Sequence, residues 1–367
     1  MESFGNRFIV GIILISIILT GCGQNGTQGV SGAPEEVPGF YITDSFGREV
    51  FIPDEVQNIA CLYSFAGYAV SLLGRGEDLV AVPDGLQRDV MLMEIVPQVE
   101  KAAVPRKSGK INIEELLRQK PDIVIIRGDT AHDEKELEQL DKANLTYIVV
   151  DYTNIEEQQQ AISIIGELIG RPEQAKAFND YYNDIIKKVG DVVTGMPEGG
   201  RARMYHSENQ ALRTIHNSAL PADWSRAAGV INVSVDEKLN LVNNDYYASL
   251  EQVLLWNPEV IIANENTAVK YILGNPQWSG IKAVREGRVY QLPQGISRWG
   301  HPGSVETPLA ILWTAKMVYP ELFEHIDMKS EVEYFYKEFF GYQLSAEMIE
   351  QVLNGEGLRM PKGEVQG

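Results

Sequence analysis

The segment PEQAKAFNDYYNDIIKKVGDVV, residues 172–193, predicts one long helix near the middle of the chain. Its apolar side chains recur at three- and four-residue steps and so share one face; they are Phe178, Tyr181, Tyr182, Ile185 and Val189. Pro172 suits the first turn of such a helix. The helix would be roughly 30 Å long, about the width of a small lobe. The same periodicity is typical of an ordinary crossover helix. Only the flanking residues can show whether this helix instead connects two lobes.

The same pattern of residues stands on either side of this segment. Upstream it reads NIEELL at 112–117 and PDIVII at 121–126, and downstream SLEQVL at 249–254 and PEVII at 258–262. Each copy begins with a capping-box pattern and continues as a short amphipathic helix. Each ends in Pro-acid and an apolar strand typical of a buried parallel sheet. Two copies in register predict two related lobes joined by the long helix.

Strands and helices alternate through both lobes. This alternation predicts an α/β fold with two Rossmann-like lobes, whose mostly parallel sheets are covered on both sides and joined by one long rigid helix. The predicted organisation is a signal peptide at 1–21, a lipidated cysteine and flexible tether at 22–38, an N-terminal lobe at 39–171, the connecting helix at 172–195, a C-terminal lobe with terminal helices at 196–355, and a loose tail at 356–367.

The first residues are typical of a targeting segment. Arg7 precedes an apolar run at 8–19 that is short for a membrane span, and LTGC at 19–22 resembles the lipobox of bacterial lipoproteins. That resemblance implies that Cys22 carries a lipid; the alternative is a weak membrane anchor with a chance cysteine. Cys61 is the other cysteine and suits a buried core position, so no disulfide is predicted.

Composition excludes several function classes. The formal net charge of −19 argues against a nucleic-acid partner, which requires a basic face. The sequence has no Gly-rich phosphate loop, cysteine cluster or GxSxG motif that would indicate a common enzyme class. We therefore expect a protein that is not an enzyme, with a chelatase-like enzyme as the alternative from another class and a lipid-anchored sensor as a third.

Several stretches resemble one family in order and spacing. They are TDSFGREVFIP at 43–53 with NIA at 58–60, NIE at 112–114 with PDIV at 121–124, and AVREGRVY at 283–290. Together they resemble the substrate-binding lipoproteins of ABC importers that serve iron–siderophore complexes, haem and corrinoids. The resemblance implies the class III periplasmic binding protein fold, in which one rigid helix joins two lobes. It also implies a monomer, lipid-anchored outside the cytoplasm, that delivers its ligand to an ABC permease dimer with its ATPase.

The resemblance also implies a docking role for Glu114 and Glu251. Family members carry one surface glutamate on each lobe that meets arginine pockets on the permease, and these positions match. Carboxylates at the two ends of an elongated body would fix its orientation by charge-assisted hydrogen bonds. The alternative is local, because a glutamate in a helix's first turn favours the macrodipole by itself.

The ligand is expected between the lobes, in loops at the carboxyl ends of the strands. The candidate ligand-binding residues are Tyr63, Ser64, Arg106, Lys107, Arg127, Tyr205, His206, Tyr246, Arg298, Trp299 and His301. Their cations suit an anionic ligand and their aromatic rings a bulky one. The loop 298–301 combines a cation with an aromatic ring. Trp299 in this loop is the expected fluorescence reporter of ligand binding.

Ligand identity stays open among several chemistries. A ferric siderophore, haem or corrinoid is the first expectation, and each of these ligands is itself a metal complex. No separate cofactor is expected. A molybdate- or tungstate-type oxyanion and a bare metal ion are the alternatives. The sequence lacks a His-rich loop or close histidine pair, so no protein metal site is predicted. A single histidine, such as His132, His206 or His301, could still be an axial ligand to haem iron or cobalt.

Overall fold

The computed structural model describes residues 38–107, 109–356 and 359–360. The predicted signal peptide, Cys22 and nearly all of the tether lie outside these residues. The described part of the chain forms one compact unit. None of its helices combines the length and apolarity needed to span a bilayer.

The chain before the long helix forms a parallel sheet beside two antiparallel pairs. Its strands are β1 (Gly39–Thr43), β2 (Glu49–Pro53), β3 (Ile59–Cys61), β4 (Leu79–Ala81), β5 (Arg106–Lys107), β6 (Lys110–Ile111), β7 (Ile123–Ile126) and β8 (Tyr147–Val149). The sheet order is β4-β3-β7-β8, with every pair parallel, whereas β1 and β2 form a hairpin, as do β5 and β6. The helices are α1 (Ser64–Leu72), α2 (Val90–Ile95), α3 (Gln98–Lys101), α4 (Ile113–Arg118), α5 (Gly128–Ala131), α6 (Glu134–Lys142) and α7 (Ile155–Leu168).

The predicted long helix is α8 (Pro172–Val193), with Pro172 in its first turn. Its buried face is Ala175, Phe178, Tyr182, Ile185, Val189 and Val193. This face packs against α7 on one side and, on the other, against the later helix α13 (Thr307–Val318). The largest apolar core therefore continues through α8 from the first sheet to the C-terminal helices, which makes α8 a rigid connector.

The chain after α8 builds a second, separate sheet. Its strands are β9 (Arg203–Ser207), β10 (Arg213–Thr214), β11 (Ile231–Asn232), β12 (Asn240–Val242), β13 (Asp245–Tyr247), β14 (Val260–Ala263) and β15 (Val289–Gln291). The helices are α9 (Leu220–Ala227), α10 (Leu250–Trp256), α11 (Asn266–Gly274), α12 (Lys282–Arg285), α13, α14 (Met328–Phe340) and α15 (Ala346–Asn354). Two sheets and one long helix confirm the predicted fold class.

The second sheet is less parallel than predicted. Strands β11, β9, β14 and β15 pair in parallel, but β10, β12 and β13 pair antiparallel. Asn243 and Asn244 both have positive φ, as a two-residue hairpin turn requires, so β12 and β13 have no room for a crossover helix.

The C-terminal tail also departs from its prediction. Gly355 ends α15 with φ 67°, in a position where an added Cβ would lie 2.3 Å from the Gln291 amide nitrogen. Beyond it, Arg359 pairs with Asp89 in an antiparallel bridge, and the Met360 N–H donates to the Arg88 carbonyl at 2.7 Å. Residues 359–360 are therefore anchored, and the prediction of a loose tail is wrong for them.

Candidate functional site

A cavity of about 800 Å³ opens at the carboxyl ends of strands from both sheets. Tyr63 follows β3, Arg127 follows β7 and Glu208 follows β9, and all three line it. The carboxyl ends of parallel strands are where α/β folds place ligands, as the sequence predicted. This cavity is the candidate ligand site.

Five arginines line the cavity, and they come from separate parts of the chain. They are Arg88 and Arg127 before α8, Arg213 and Arg298 after it, and Arg359 in the C-terminal segment. Three carboxylates, those of Asp84, Glu208 and Asp245, also line it. Arginines outnumber carboxylates among the lining residues, so the wall favours a negatively charged ligand.

Most of these guanidinium groups are held by acidic or amide partners. Arg213 pairs with Glu208 at 2.9 Å and with Asp245 at 2.7 Å. Arg298 donates to Glu265 at 2.8 Å and to Asn209 at 3.1 Å. Such contacts fix the direction of each fork before a ligand arrives.

The two arginines of the N-terminal wall are held more loosely. The Arg127 Nε lies 3.4 Å from Asp151 Oδ1, and its guanidinium carbon stands 5.4 Å from the centre of the Tyr63 ring. Arg88 makes no ion pair among the described residues, and its buried Nε has no hydrogen-bond partner there. Burial and the neighbouring Arg359 lower the pKa of the Arg88 guanidinium.

His301 faces the same positive charge. Burial lowers its pKa well below the usual range, and the guanidiniums of Arg298 and Arg359 lower it further. Its Nδ1 accepts from the Gly303 N–H at 3.1 Å, so in the neutral ring the proton lies on Nε2. His301 is therefore a neutral side chain with one N–H left to donate.

Six of the eleven predicted ligand-binding residues line this cavity. They are Tyr63, Ser64, Arg127, Tyr246, Arg298 and His301. Arg106 does not, because it donates to Thr130 Oγ1 at 2.8 Å and pairs with Glu136 at 3.3 Å. Lys107 belongs to β5, and its side chain is outside the described part.

Tyr205, His206 and Trp299 are core residues, contrary to the prediction. The prediction placed Tyr205 and His206 in a loop after a strand, but β9 continues to Ser207, so these two residues lie inside a covered strand. Tyr205 packs near Trp256 and Trp278 and donates to the Ala211 carbonyl at 3.1 Å. The His206 Nε2 lies 2.8 Å from Asn264 Oδ1. Trp299 is fully buried and does not line the cavity, so a ligand there would not contact its indole directly.

A buried carboxylate supports the loop that carries Arg298 and His301. Glu306 is fully buried and accepts from the Tyr336 hydroxyl, from the Trp299 indole N–H at 2.9 Å, and from Ser297 N–H at 2.8 Å and Oγ at 2.7 Å. Gly295 passes so close that an added Cβ would lie 2.0 Å from the Glu306 carboxylate. Burial raises the Glu306 pKa, which its donors oppose.

A family model described as "Periplasmic binding protein" matches residues 72–295. The chain belongs to the periplasmic binding protein family. The family predicted from the sequence is thereby confirmed, and this periplasmic binding protein is an ABC transporter substrate-binding protein.

Several curated relatives match between 69% and 85% of this periplasmic binding protein. The molybdate-binding protein MolA of Haemophilus influenzae is 25% identical over 323 residues, 82% of this chain and 90% of MolA. The uncharacterized ABC transporter substrate-binding lipoprotein YvrC of Bacillus subtilis is 24% identical, over 85% of this chain and 96% of YvrC. A vitamin B12-binding protein of Vibrio cholerae is 23% identical, over 69% and 85%. The relatives therefore differ in their named ligands.

A solved structure shows the same fold. MolA of Haemophilus influenzae bound to molybdate superposes on this periplasmic binding protein with a TM-score of 0.74 and 24% identity, covering 83% of this chain and 99% of that one.

Glu114 and Glu251 are both exposed and do not line the cavity of this periplasmic binding protein. They occupy first turns of α4 and α10, which are capped by Asn112 and by a Ser249 capping box. Hydrogen bonds from its own backbone N–H and from Ser249 lower the Glu251 pKa. Leu117 and Leu255 are exposed on the same two helices, the latter at 84%. Each helix thus presents an acid with an apolar neighbour.

The sequence missed three of the five cavity arginines. Arg88 and Arg213 are not among the predicted ligand-binding residues, and Arg213 lies within strand β10 rather than in a loop after a strand. Arg359 belongs to a segment without any periodic pattern. No group of three or more possible metal ligands occurs in the described ranges.

Proposed function

We propose that this protein is the extracytoplasmic solute-binding subunit of an ABC importer, lipid-anchored through Cys22, and that it captures an oxygen-rich anion without turning it over. The convergence of five arginines on one cavity carries this proposal. A guanidinium presents a planar fork of donors that matches the spacing of oxygen atoms in an anion. Arginines on both sides of the cavity would let such a ligand draw the two sheets together.

A molybdate-type oxyanion is the first candidate ligand. The aromatic faces that suggested haem or a corrinoid are largely engaged, since Tyr205 and Trp299 are buried. Tyr246 and His216 line the cavity but stack on each other, with ring centres 4.3 Å apart. The relative MolA is named for molybdate binding, which supports the same order of candidates.

A ferric complex with an acidic organic ligand is the second candidate. The cavity volume of about 800 Å³ favours it, because pockets of about 300–1,000 Å³ are typical for whole organic ligands. Carboxylate or catecholate oxygens at the surface of such a complex would meet the same guanidiniums. The two candidates share the same oxygen chemistry and differ in the size of the anion.

Titration calorimetry on the mature protein tests the proposal. We expect saturable one-to-one binding of molybdate or tungstate, weakened by added salt because the attraction is electrostatic. Ferric citrate is the larger anionic probe, and cyanocobalamin is the probe without strong anionic character. Binding of ferric citrate alone would assign the second candidate. Binding of cyanocobalamin with no response to any anion would overturn the proposal, as would recovery of a chemically altered ligand.

We propose further that Glu114 and Glu251 dock on the two permease subunits. Their exposure on equivalent helices, each beside an exposed leucine, supports this role. Reversing both charges (Glu114→Lys with Glu251→Lys) is expected to lower ligand uptake at least about tenfold, since charged interface contacts contribute about 2–5 kcal/mol. The measurement is uptake in cells that also express the permease, beside ligand affinity in solution.

The matched control for docking is a pair of exposed glutamates elsewhere. Glu167→Lys with Glu321→Lys makes the same change in net charge, and we expect uptake to remain at the wild-type level. Ligand affinity should be unchanged in both double variants because none of the four residues lines the cavity. Full uptake by the Glu114 and Glu251 double variant would remove the docking proposal and leave the binding proposal intact.

A further inference from the structure

The C-terminal segment returns to the candidate ligand cavity after the last helix. The positive φ of Gly355 turns the chain, and the Met360 N–H bonds to the Arg88 carbonyl at 2.7 Å. This contact places Arg359 on the cavity wall beside Arg88. Arg359 also bonds to Asp89, the residue after Arg88, from which it is 270 positions away in sequence. The ligand cavity is thus completed by a residue outside the family match at 72–295.

Asp89 holds the Arg359 side chain in place. Its carboxylate is fully buried and accepts from the Arg359 Nη1 and from the Tyr68 hydroxyl. Burial raises the pKa of Asp89 to about 7, although Arg359 and Tyr68 oppose that rise. Asp89 is thus a buried acceptor that fixes the direction of the Arg359 guanidinium.

Among the described residues, few donors of these two guanidiniums have a hydrogen-bond partner. A guanidinium has five N–H donors, and in the described ranges that of Arg359 makes a single hydrogen bond, to Asp89. Arg88 makes no ion pair in the same ranges, and its Nε is buried without a partner. Unpaired buried donors are costly unless a ligand or water accepts from them. Of these two neighbouring guanidiniums only that of Arg359 is ion-paired in the described ranges, so N–H donors of both remain for a ligand in the cavity.

We propose that Arg359 is a ligand-binding residue supplied by the C-terminal segment, and that it forms with Arg88 a two-guanidinium clamp for oxygen atoms of an anionic ligand. The inference rests on the proposed function and adds a residue and a segment to it. Asp89 is a positioning residue, because it does not line the cavity and acts by orienting Arg359. Tyr68 donates to Asp89 and so supports the same orientation. An anion bound by the clamp would also fasten the C-terminal segment to the chain around Arg88.

Calorimetry with molybdate and with ferric citrate tests the clamp. Arg359→Gln is expected to lower the affinity for whichever of the two anions binds the wild type by about 10- to 100-fold. This is the loss typical for one hydrogen bond to a charged group. Arg88→Gln should cause a loss of the same order. Arg359→Lys should lie between these variants and the wild type because it keeps the charge and loses the fork. Arg118→Gln, an exposed arginine outside the cavity, is the matched control and should bind like the wild type.

Asp89→Asn separates binding from a merely structural role. If Arg359 binds the anion, Asp89→Asn should leave the affinity unchanged or strengthen it, because asparagine keeps an oxygen that can orient Arg359 and loses the competing charge. A purely structural pair would give equal losses of affinity in Asp89→Asn and Arg359→Gln, and that result would overturn the inference. Wild-type affinity in Arg359→Gln would overturn it too, while the proposed function stands. Absence of binding of either anion to the wild type would instead remove the proposed function and the clamp with it.

Discussion

Replacing Glu306 by alanine is expected to lower the free energy of unfolding by roughly 3–5 kcal/mol, the range typical for breaking a buried charged network. The Tyr336 hydroxyl, the Trp299 indole N–H and the Ser297 backbone N–H would all lose their acceptor at once. Each lies in the core, where a donor left without an acceptor is costly. Urea unfolding followed by circular dichroism measures the change.

The same variant is expected to weaken anion binding. The donors to Glu306 include Ser297 and Trp299, which flank Arg298 in the loop that also carries His301. Without the carboxylate this loop loses its fixed direction, and the guanidinium of Arg298 must be ordered when the ligand binds. Stability and affinity should therefore fall together, although Glu306 does not line the cavity.

Two further variants make the Glu306 prediction specific. Glu306→Gln keeps the volume and one acceptor oxygen but turns an amide towards the Ser297 donors, so an intermediate loss of stability is expected. Glu321→Ala removes an exposed glutamate and should change stability by no more than about 0.5 kcal/mol. A Glu306→Ala protein as stable as Glu321→Ala would show that the buried network contributes nothing.

Local patterns were enough to predict the frame of this fold. Helix α8 begins at Pro172 and ends at Val193 as expected, because its apolar period and its proline signal both act within the segment itself. The repeated helices α4 and α10 were recognisable for the same reason. The antiparallel part of the second sheet was missed because pairing of β10, β12 and β13 depends on partners distant in sequence.

The candidate site was predictable where loops directly follow strands. Tyr63 and Arg127 were found because each stands just beyond a predicted strand. Tyr205 and His206 were wrongly assigned to the cavity because strand ends carry no sharp sequence signal and β9 continues to Ser207. Arg359 could not be found at all, because its place depends on a tertiary contact with Asp89.

His206 is expected to make the free energy of unfolding fall more steeply with decreasing pH than it would without this histidine. Burial lowers the pKa of this histidine to about 4, which its bond with Asn264 opposes, whereas an unfolded histidine titrates near its ordinary value of 6.5. As the pH falls below 6.5 the unfolded chain takes up the proton first, so the unfolding free energy decreases from pH 6.5 down to about 4. The contribution is about 2 kcal/mol at pH 5 and approaches roughly 3 kcal/mol below pH 4.

His206→Gln removes this proton uptake while keeping an N–H that can donate to Asn264. The unfolding free energy of His206→Gln, measured in urea between pH 7 and pH 4, should therefore fall less than that of the wild type by about 2–3 kcal/mol. Because His301 and Asp89 are common to both proteins, their own titrations cancel in the difference. His325→Gln, at an exposed position, should keep the wild-type slope. Parallel curves for the wild type and His206→Gln would mean that His206 is protonated as readily in the folded chain as in the unfolded one, against its burial beside Trp224.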